Sequence, residues 1–305
     1  MFNGAITDVA GILVGHSTNS AAKTGCTAIL APDGAVGGVD VRGGAPGTRE
    51  SDAFAEGAMV PLVHAVTLCG GSAFGLAAAQ GVMDYLEEQG IGFDVGVAKV
   101  PLVGAAVIFD LGVGDAKVRP TAADGYAAAA AACKDDRSMG LVGAGTGATV
   151  GKLFGPAMAE AGGLGTASMK VGKATVGCIV AVNACGNIHD HTTGSIIAGS
   201  YNASLGVRHS VTDLLAFAGE SGKNTTICCI ATDAKLNKHE AHRLAMLAHD
   251  GYAMAIRPVH MLNDGDTAFS LCTGKVEEDA NLIFAAAAEV TARAICNAIY
   301  AGGAK

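Results

Sequence analysis

The chain has 305 residues, half of them apolar, with 44 glycines, nine cysteines, no tryptophan and a net charge of −8. That length fits one large domain or two ordinary ones with a substantial core, and the composition excludes a disordered chain. No basic stripe points to a nucleic-acid partner, and no apolar run nears the roughly 18 uninterrupted residues of a membrane span.

From the N-terminus, "ITDVAGILVGHST" reads as a strand leading to a turn, and "TGCTAILAP" as a second strand closed by Pro32-Asp33-Gly34. "AVGGVDVRGGAPGTRESD" predicts a strand followed by an active loop. "GGSAFGLAAAQGVMDYLEEQG" places Phe74, Leu76, Ala77, Val82 and Leu86 in helical rhythm and stops at Gly90. "VPLVGAAVIFDLGVG" is strand-like, and "TAADGYAAAAAACKDD" is a helix made almost entirely of alanine. "KATVGCIVAVNACGNI" predicts a long buried strand ending at Asn183. A polar tract from about Ile188 to Lys223 leads into "TTICCIATDA", another strand. Asn237, with Glu240 three residues on, has the spacing of a capping box and starts a helix. "DTAFSLCTG" is a further strand, and the alanine-rich stretch from about Asn281 is the last helix. Strands and helices are mixed without strict alternation, so the fold class is α+β, with sheets covered by helices.

The opening "MFNGAITDVAGILVG" lacks the basic-then-apolar order of a secretory signal. The cysteines lie mostly in apolar segments (Cys178, Cys228, Cys229, Cys296) and form no C-x-x-C, which reads as buried reduced thiols in a cytoplasmic protein. His189 and His191 stand two apart with no cysteine at ligand spacing, so no metal is expected.

"GAGTGATVGK", residues 143–152, fails as a phosphate loop, because Thr146 stands where the first glycine is needed and Leu153 replaces Ser or Thr. Gly143, Gly145 and Ala148 fit G-x-G-x-x-A, but no good strand precedes them and no acidic residue supports a dinucleotide site. Two readings stay open: a tight chain reversal, or glycines that bring backbone, and Lys152, close to a reaction centre. Gly71, Gly143, Gly145 and Gly147 are the candidate backbone-loop residues for substrate.

"SGKNTTICCIATDAKL" passes abruptly from a polar run into a strand at Asn224-Thr225. If that bond is cut, Thr225 carries a hydroxyl and a free α-amine, whose ordinary pKa of about 7.7–8.0 suits it as its own general base. "NDGDTAF" offers Asp264 and Asp266, which would project to one side of an extended chain and raise each other's pKa. A plain Asp-Gly turn is the alternative for that segment.

The "KNTTICCIATDA" junction, the "DGDT" strand start and the early "DVRGGAPGTRE" segment, in that family's order, resemble the DmpA-type aminopeptidase family over nearly the whole chain. Its members include L-aminopeptidase/D-esterases, β-peptidyl aminopeptidases and a nylon-oligomer hydrolase branch. The resemblance implies a four-layer α-β-β-α sandwich, related to ornithine acetyltransferases, that cuts itself between Asn224 and Thr225 into pieces 1–224 and 225–305. It implies Thr225 as nucleophile, Asn183 as an oxyanion donor, Asp264 and Asp266 as the orienting acidic pair and Lys152 as an active-site lysine. It further implies no cofactor, a homotetramer, and a small peptide, amide or ω-amino acid oligomer as substrate. The aminopeptidase branch has Ser at the cut, Ser at the first acidic position and Tyr where Gly151 stands, so this chain sides with the nylon-hydrolase branch. The alternatives are an aminopeptidase/D-esterase on amino-acid amides and esters, an acyltransferase of ornithine acetyltransferase type, or a non-enzymatic protein holding an anion at Gly143–Gly147.

Overall fold

The computed structural model describes residues 1–215 and 224–302, so the last part of the polar tract before the junction lies outside the described residues. Nine strands form the main hydrogen-bonded network: β1 (Leu13–Asn19), β2 (Thr24–Val41), β3 (Thr48–Arg49), β4 (Val63–Cys69), β5 (Val103–Val107), β6 (Gly163–Val171), β7 (Ala174–Asn183), β8 (Thr225–Ala234) and β9 (Thr267–Val276). Four long helices cover it: α1 (Ala78–Glu88), α2 (Ala122–Ala130), α3 (Lys238–Ala255) and α4 (Ala280–Gly302). The strand order is β6-β7-β8-β9-β2-β4-β5-β3, with β1 on β2. The pairs β8–β9 and β4–β5 are parallel.

Pro32-Asp33-Gly34 does not end the second strand, as the turn signal predicts. β2 runs through it for 18 residues. Its pairing with β4 slips between Leu30 and Ala35, and Gly34 takes φ +81°. Proline and a left-handed glycine here act as they do at a bulge, bending a strand without stopping it. The first half of β2 pairs with β1 and β4, and the second half, from Val36, pairs with β9. One bent strand therefore belongs to two layers.

Three apolar cores separate the layers. Side chains alternate along β8, so Cys228 and Ile230 face α3 and α4, where Leu244, Tyr252, Val290 and Ile295 meet them. Ile227, Cys229 and Ala231 face the other way and pack with Ile29, Val66, Leu68 and Phe269 between the two sheets. Ala28 and Leu30 of β2 turn outward to α1 and α2, against Val82, Leu86 and Ala128. The succession is α-β-β-α, as the resemblance implies. α4 is apolar enough to cross a membrane by composition, with mean hydropathy 1.5, but 67% of that stretch is buried inside the fold, the mark of a core helix.

The glycine and alanine content is spent on close approach. α1 and α2 cross at Gly81 and Gly125, where a Cβ would lie 1.7 Å from the Ala122 carbonyl oxygen and 1.8 Å from that of Ala78. α3 starts as its capping box predicts: Glu240 N–H donates to Asn237 Oδ1 at 3.0 Å, and Asn237 N–H to Glu240 Oε2 at 2.8 Å. The cysteines carry free thiols, buried except at Cys133.

Candidate active site

Thr225 is the first residue of β8, a strand with neighbours on both sides. Toward β7 it stands opposite Asn183, and toward β9 Ile227 stands opposite Thr267. Alternation puts Thr225 on the same face as Ile227, hence at the end of the inter-sheet core, and Asn183 joins it with Ala181. Two β-branched threonines are good strand openers, which is why the strand begins here and not after a turn residue.

The acidic turn clasps the junction. Asn224 N–H donates to Asn263 O at 3.2 Å, Gly265 N–H donates to Asn224 O at 3.1 Å, and Thr226 N–H donates to Asp266 Oδ1 at 2.6 Å. Thr225 is buried, and its hydroxyl donates to the carbonyl oxygen of Asn224, the residue before it. Glycine at 265 is a matter of space: a Cβ there would stand 2.9 Å from Thr225 Oγ1 and 2.9 Å from Ala45 O. The "RGGA" segment straps the turn from outside, with Arg42 N–H on Asp266 O at 3.0 Å and Ala45 N–H on Asp264 O at 2.8 Å. A side chain on Gly43 would strike Asp266 N at 2.3 Å, so the strap needs its glycine.

Both carboxylates are buried. Asp264 Oδ2 accepts the Met261 N–H at 2.8 Å, while its Oδ1 has no hydrogen-bond partner among the described residues. Burial first, and the neighbouring Asp266 second, push Asp264 up to about 6, against the pull of the Met261 N–H, Lys152 and His260. Asp266 is fully engaged: besides Thr226 it accepts the backbone N–H of His260 at 3.1 Å and its Nδ1–H at 2.8 Å, both on Oδ2. The segment is thus a turn and an acidic pair at once.

Lys152 follows Gly151, whose φ of +72° and tight approach to Gly199 suit only glycine. Its Nζ donates to Asn183 O and Oδ1, both at 2.9 Å, and to Thr149 O at 2.8 Å. Among the described residues no carboxylate touches it; burial lowers its pKa to about 7, with Cys185 and Asp264 pulling the other way. Asn183, completely buried, passes this contact on. Its Oδ1 also accepts Thr149 N–H at 3.0 Å, and its Nδ2 donates to Phe109 O at 3.1 Å.

A cavity of about 430 Å³ opens at Thr225. Ala45, Pro46, Gly47, Val107, Ile108 and Leu262 supply its apolar wall, and Ser72, Asn224 and Asn263 its polar points. Among the described residues, none that lines it is ionisable. Gly71 sits just behind this wall, with φ +81° and its N–H on Asp110 Oδ1 at 2.6 Å. Gly143, Gly145 and Gly147 are elsewhere. A Cβ on each would meet Thr27 Oγ1 at 2.3 Å, Leu164 N at 2.1 Å and Lys23 O at 2.0 Å, so they pack a chain reversal against β2 and β6 and do not line the cavity. The reversal delivers Lys152 to Asn183. Among the described residues no three His, Cys, Asp or Glu side chains converge as metal ligands.

His260, which no sequence pattern singles out, stands six residues before Asp266 and touches it. No motif announces it; only the shared turn could have drawn attention to it.

The model of peptidase family S58 matches residues 4–304. An uncharacterized aminopeptidase of Mycobacterium tuberculosis is 44% identical over 292 residues, covering 89% of this chain and 82% of its own. A 6-aminohexanoate-oligomer endohydrolase of Kocuria sp. is 34% identical over 277 residues, covering 88% of this chain and 75% of its own. Among solved structures, the L-aminopeptidase D-Ala-esterase/amidase of Ochrobactrum anthropi, a variant of the Ntn hydrolase fold, superimposes with a TM-score of 0.72 at 21% identity, over 99% of this chain and 88% of its own. A Burkholderia sp. beta-aminopeptidase gives 0.68 at 26% identity with the same coverage.

Proposed function

Because the chain belongs to peptidase family S58, and so is a hydrolase of amide bonds, we propose that it cuts itself between Asn224 and Thr225. Thr225 then serves as an N-terminal nucleophile on short peptides or ω-amino acid oligomers. The observation that carries this reading is the clasp: three consecutive residues, Asn224 to Thr226, are each fixed from the outside or by one another around one peptide bond.

In the uncut chain the Thr225 oxygen bonds to the Asn224 carbonyl carbon. Negative charge gathers on the Asn224 oxygen, where the Gly265 N–H already points. The C–N bond then breaks, the Thr225 nitrogen takes a proton, and an ester remains on Oγ1. Water opens the ester, leaving Asn224 as a carboxyl terminus and Thr225 as an amino terminus. Asp264, with its pKa near 6, is the group suited to take the hydroxyl proton and return one to nitrogen.

In the cut form the new α-amine replaces Asp264 as the base for the Thr225 hydroxyl. The hydroxyl attacks the substrate carbonyl and the amine product leaves with a proton. Asn183 supplies an amide N–H to the oxyanion, its other donor being held by Phe109 O. Lys152, bonded to the Asn183 oxygen, fixes that amide and supports it electrostatically. Water releases the acid from the acyl-enzyme. The described cavity wall is uncharged, which suits an aliphatic acyl chain, and among the described residues it offers no carboxylate to bind a substrate ammonium group.

Gel electrophoresis with N-terminal sequencing tests the proposal. Two bands are expected, the smaller starting at Thr225, and a single band for Thr225→Ala. A parent chain that stays whole and still hydrolyses amides, or a Thr225→Ala chain that is cut at the same bond, overturns it.

A further inference from the structure

The acidic turn holds one side chain that neither the junction chemistry nor the family comparison assigns. We propose that His260 is a positioning residue: it orients the Asp266 carboxylate so that Asp266 holds the Thr226 N–H and, through it, aims the Thr225 hydroxyl. The proposal rests on the reading of Thr225 as nucleophile.

Asp266 is only 2% exposed and has two oxygens with different duties. Oδ1 takes the Thr226 N–H, one residue beyond the junction. Oδ2 takes two donors from one residue, the backbone N–H and the Nδ1–H of His260. A carboxylate bound this way cannot rotate about its Cβ–Cγ bond without losing contacts on both sides. Because the oxygen accepts, the His260 proton sits on Nδ1.

The backbone at His260 supports the same role. Its φ is +60°, in the left-handed region that glycine enters freely and residues with a side chain enter less readily. That conformation folds the imidazole back over its own N–H, so that both donors reach the same oxygen. A residue kept only to make the turn would be better as glycine. The ring is also held from behind: it meets the His249 ring edge-on at 4.8 Å and the Tyr252 ring at 6.0 Å, both on α3. Tyr252 in turn donates to Thr267 O at 3.1 Å, next to Asp266, and His249 Nε2 donates to Asp40 O at 3.0 Å. The Nε2 of His260 is buried without a hydrogen-bond partner among the described residues, so Nδ1 carries the ring's polar bonding.

Two variants separate positioning from turn-making. His260→Gly relieves the backbone and removes the side-chain donor. His260→Asn accepts the left-handed backbone and returns an N–H near the place of Nδ1. With full-length protein, self-cutting is followed by gel, and hydrolysis of an amide substrate gives kcat and KM. His260→Gly is expected to keep or raise its Tm, yet to cut and turn over about 10- to 100-fold more slowly, the scale of a small misplacement of a reacting group. The loss should fall on kcat with KM unchanged, and His260→Asn should recover most of it. Wild-type rates in His260→Gly, or a His260→Asn as slow as a stably folded His260→Gly, overturn the proposal. Thr225→Ala runs alongside. If it is inactive while His260→Gly behaves as wild type, the positioning role alone falls; if it remains active, the nucleophile reading falls and takes this one with it.

Discussion

Asp264→Asn, made in the uncut Thr225→Ala chain, should reverse the usual penalty for altering a buried polar residue as pH rises. In the folded chain Asp264 titrates at about 6, raised from an ordinary 3.8 by burial and by Asp266. A carboxyl raised in this way stabilises the fold fully below the unfolded value, near 3.8. That stability is lost as pH climbs through 6, because the unfolded chain releases its proton first. At about 1.36 kcal/mol per pH unit, the loss amounts to about 3 kcal/mol by pH 7.5. Asparagine keeps the acceptor for the Met261 N–H and never ionises. Its unpartnered amide costs the same at every pH and cancels from the comparison. Part of the loss is already present at pH 4, so urea unfolding of the two proteins at pH 4 and pH 7.5 should show Asp264→Asn gaining about 2.4 kcal/mol on its parent between the two. A difference that stays constant with pH would falsify the claim that Asp264 is a raised, desolvated acid.

Gly265→Ala should slow self-cutting at least about tenfold, since its methyl group would crowd the Thr225 hydroxyl at 2.9 Å; a time course of the two bands on a gel reads the rate. Lys152→Met should change how stability depends on alkaline pH. The buried amine loses its proton near 7 and the unfolded one near 10.5, so the parent gains about 1.4 kcal/mol per pH unit on the variant between pH 7.5 and 9.5; a flat difference in urea midpoints there refutes it. Asn237→Ala removes the cap on α3, should cost about 1 kcal/mol in urea unfolding, and should leave cutting unchanged, since the capping box is remote from the junction.

Local signals in the sequence survive where local physics decides. The Asn237–Glu240 pair announces α3 to the residue because a capping box is made within four residues. The run from Thr225 to Ala234 is a strand because β-branched and apolar residues have no better use there. Pro32-Asp33-Gly34 misleads because a turn and a bulge use the same residues, and only the arrival of β9 beside Val36 decides between them. The "GAGTG" cluster was legible as a reversal, and its delivery of Lys152 to Asn183 depends on a strand some 30 residues later. Asp264 and Asp266 could be named as a pair, but their unequal duties come from Met261, His260 and Thr226, which pattern alone does not bring together.

The order of strands fixes a sequence of events. β8 and β9, both beyond residue 224, lie between β7 and β2, both before it. The first 224 residues alone would therefore carry a two-strand gap, with two naked edges facing one another across it. Exposed edges of that kind recruit whatever strand comes near. The gap closes only when the later segment has threaded into it, and the clasp around Asn224 exists only once it has. On the proposed self-cutting, folding would therefore be complete before the bond opens. If it opens as proposed, each piece would remain stitched to the other along both borders of the gap, so a nick at the head of β8 would release a reactive terminus without releasing a subunit.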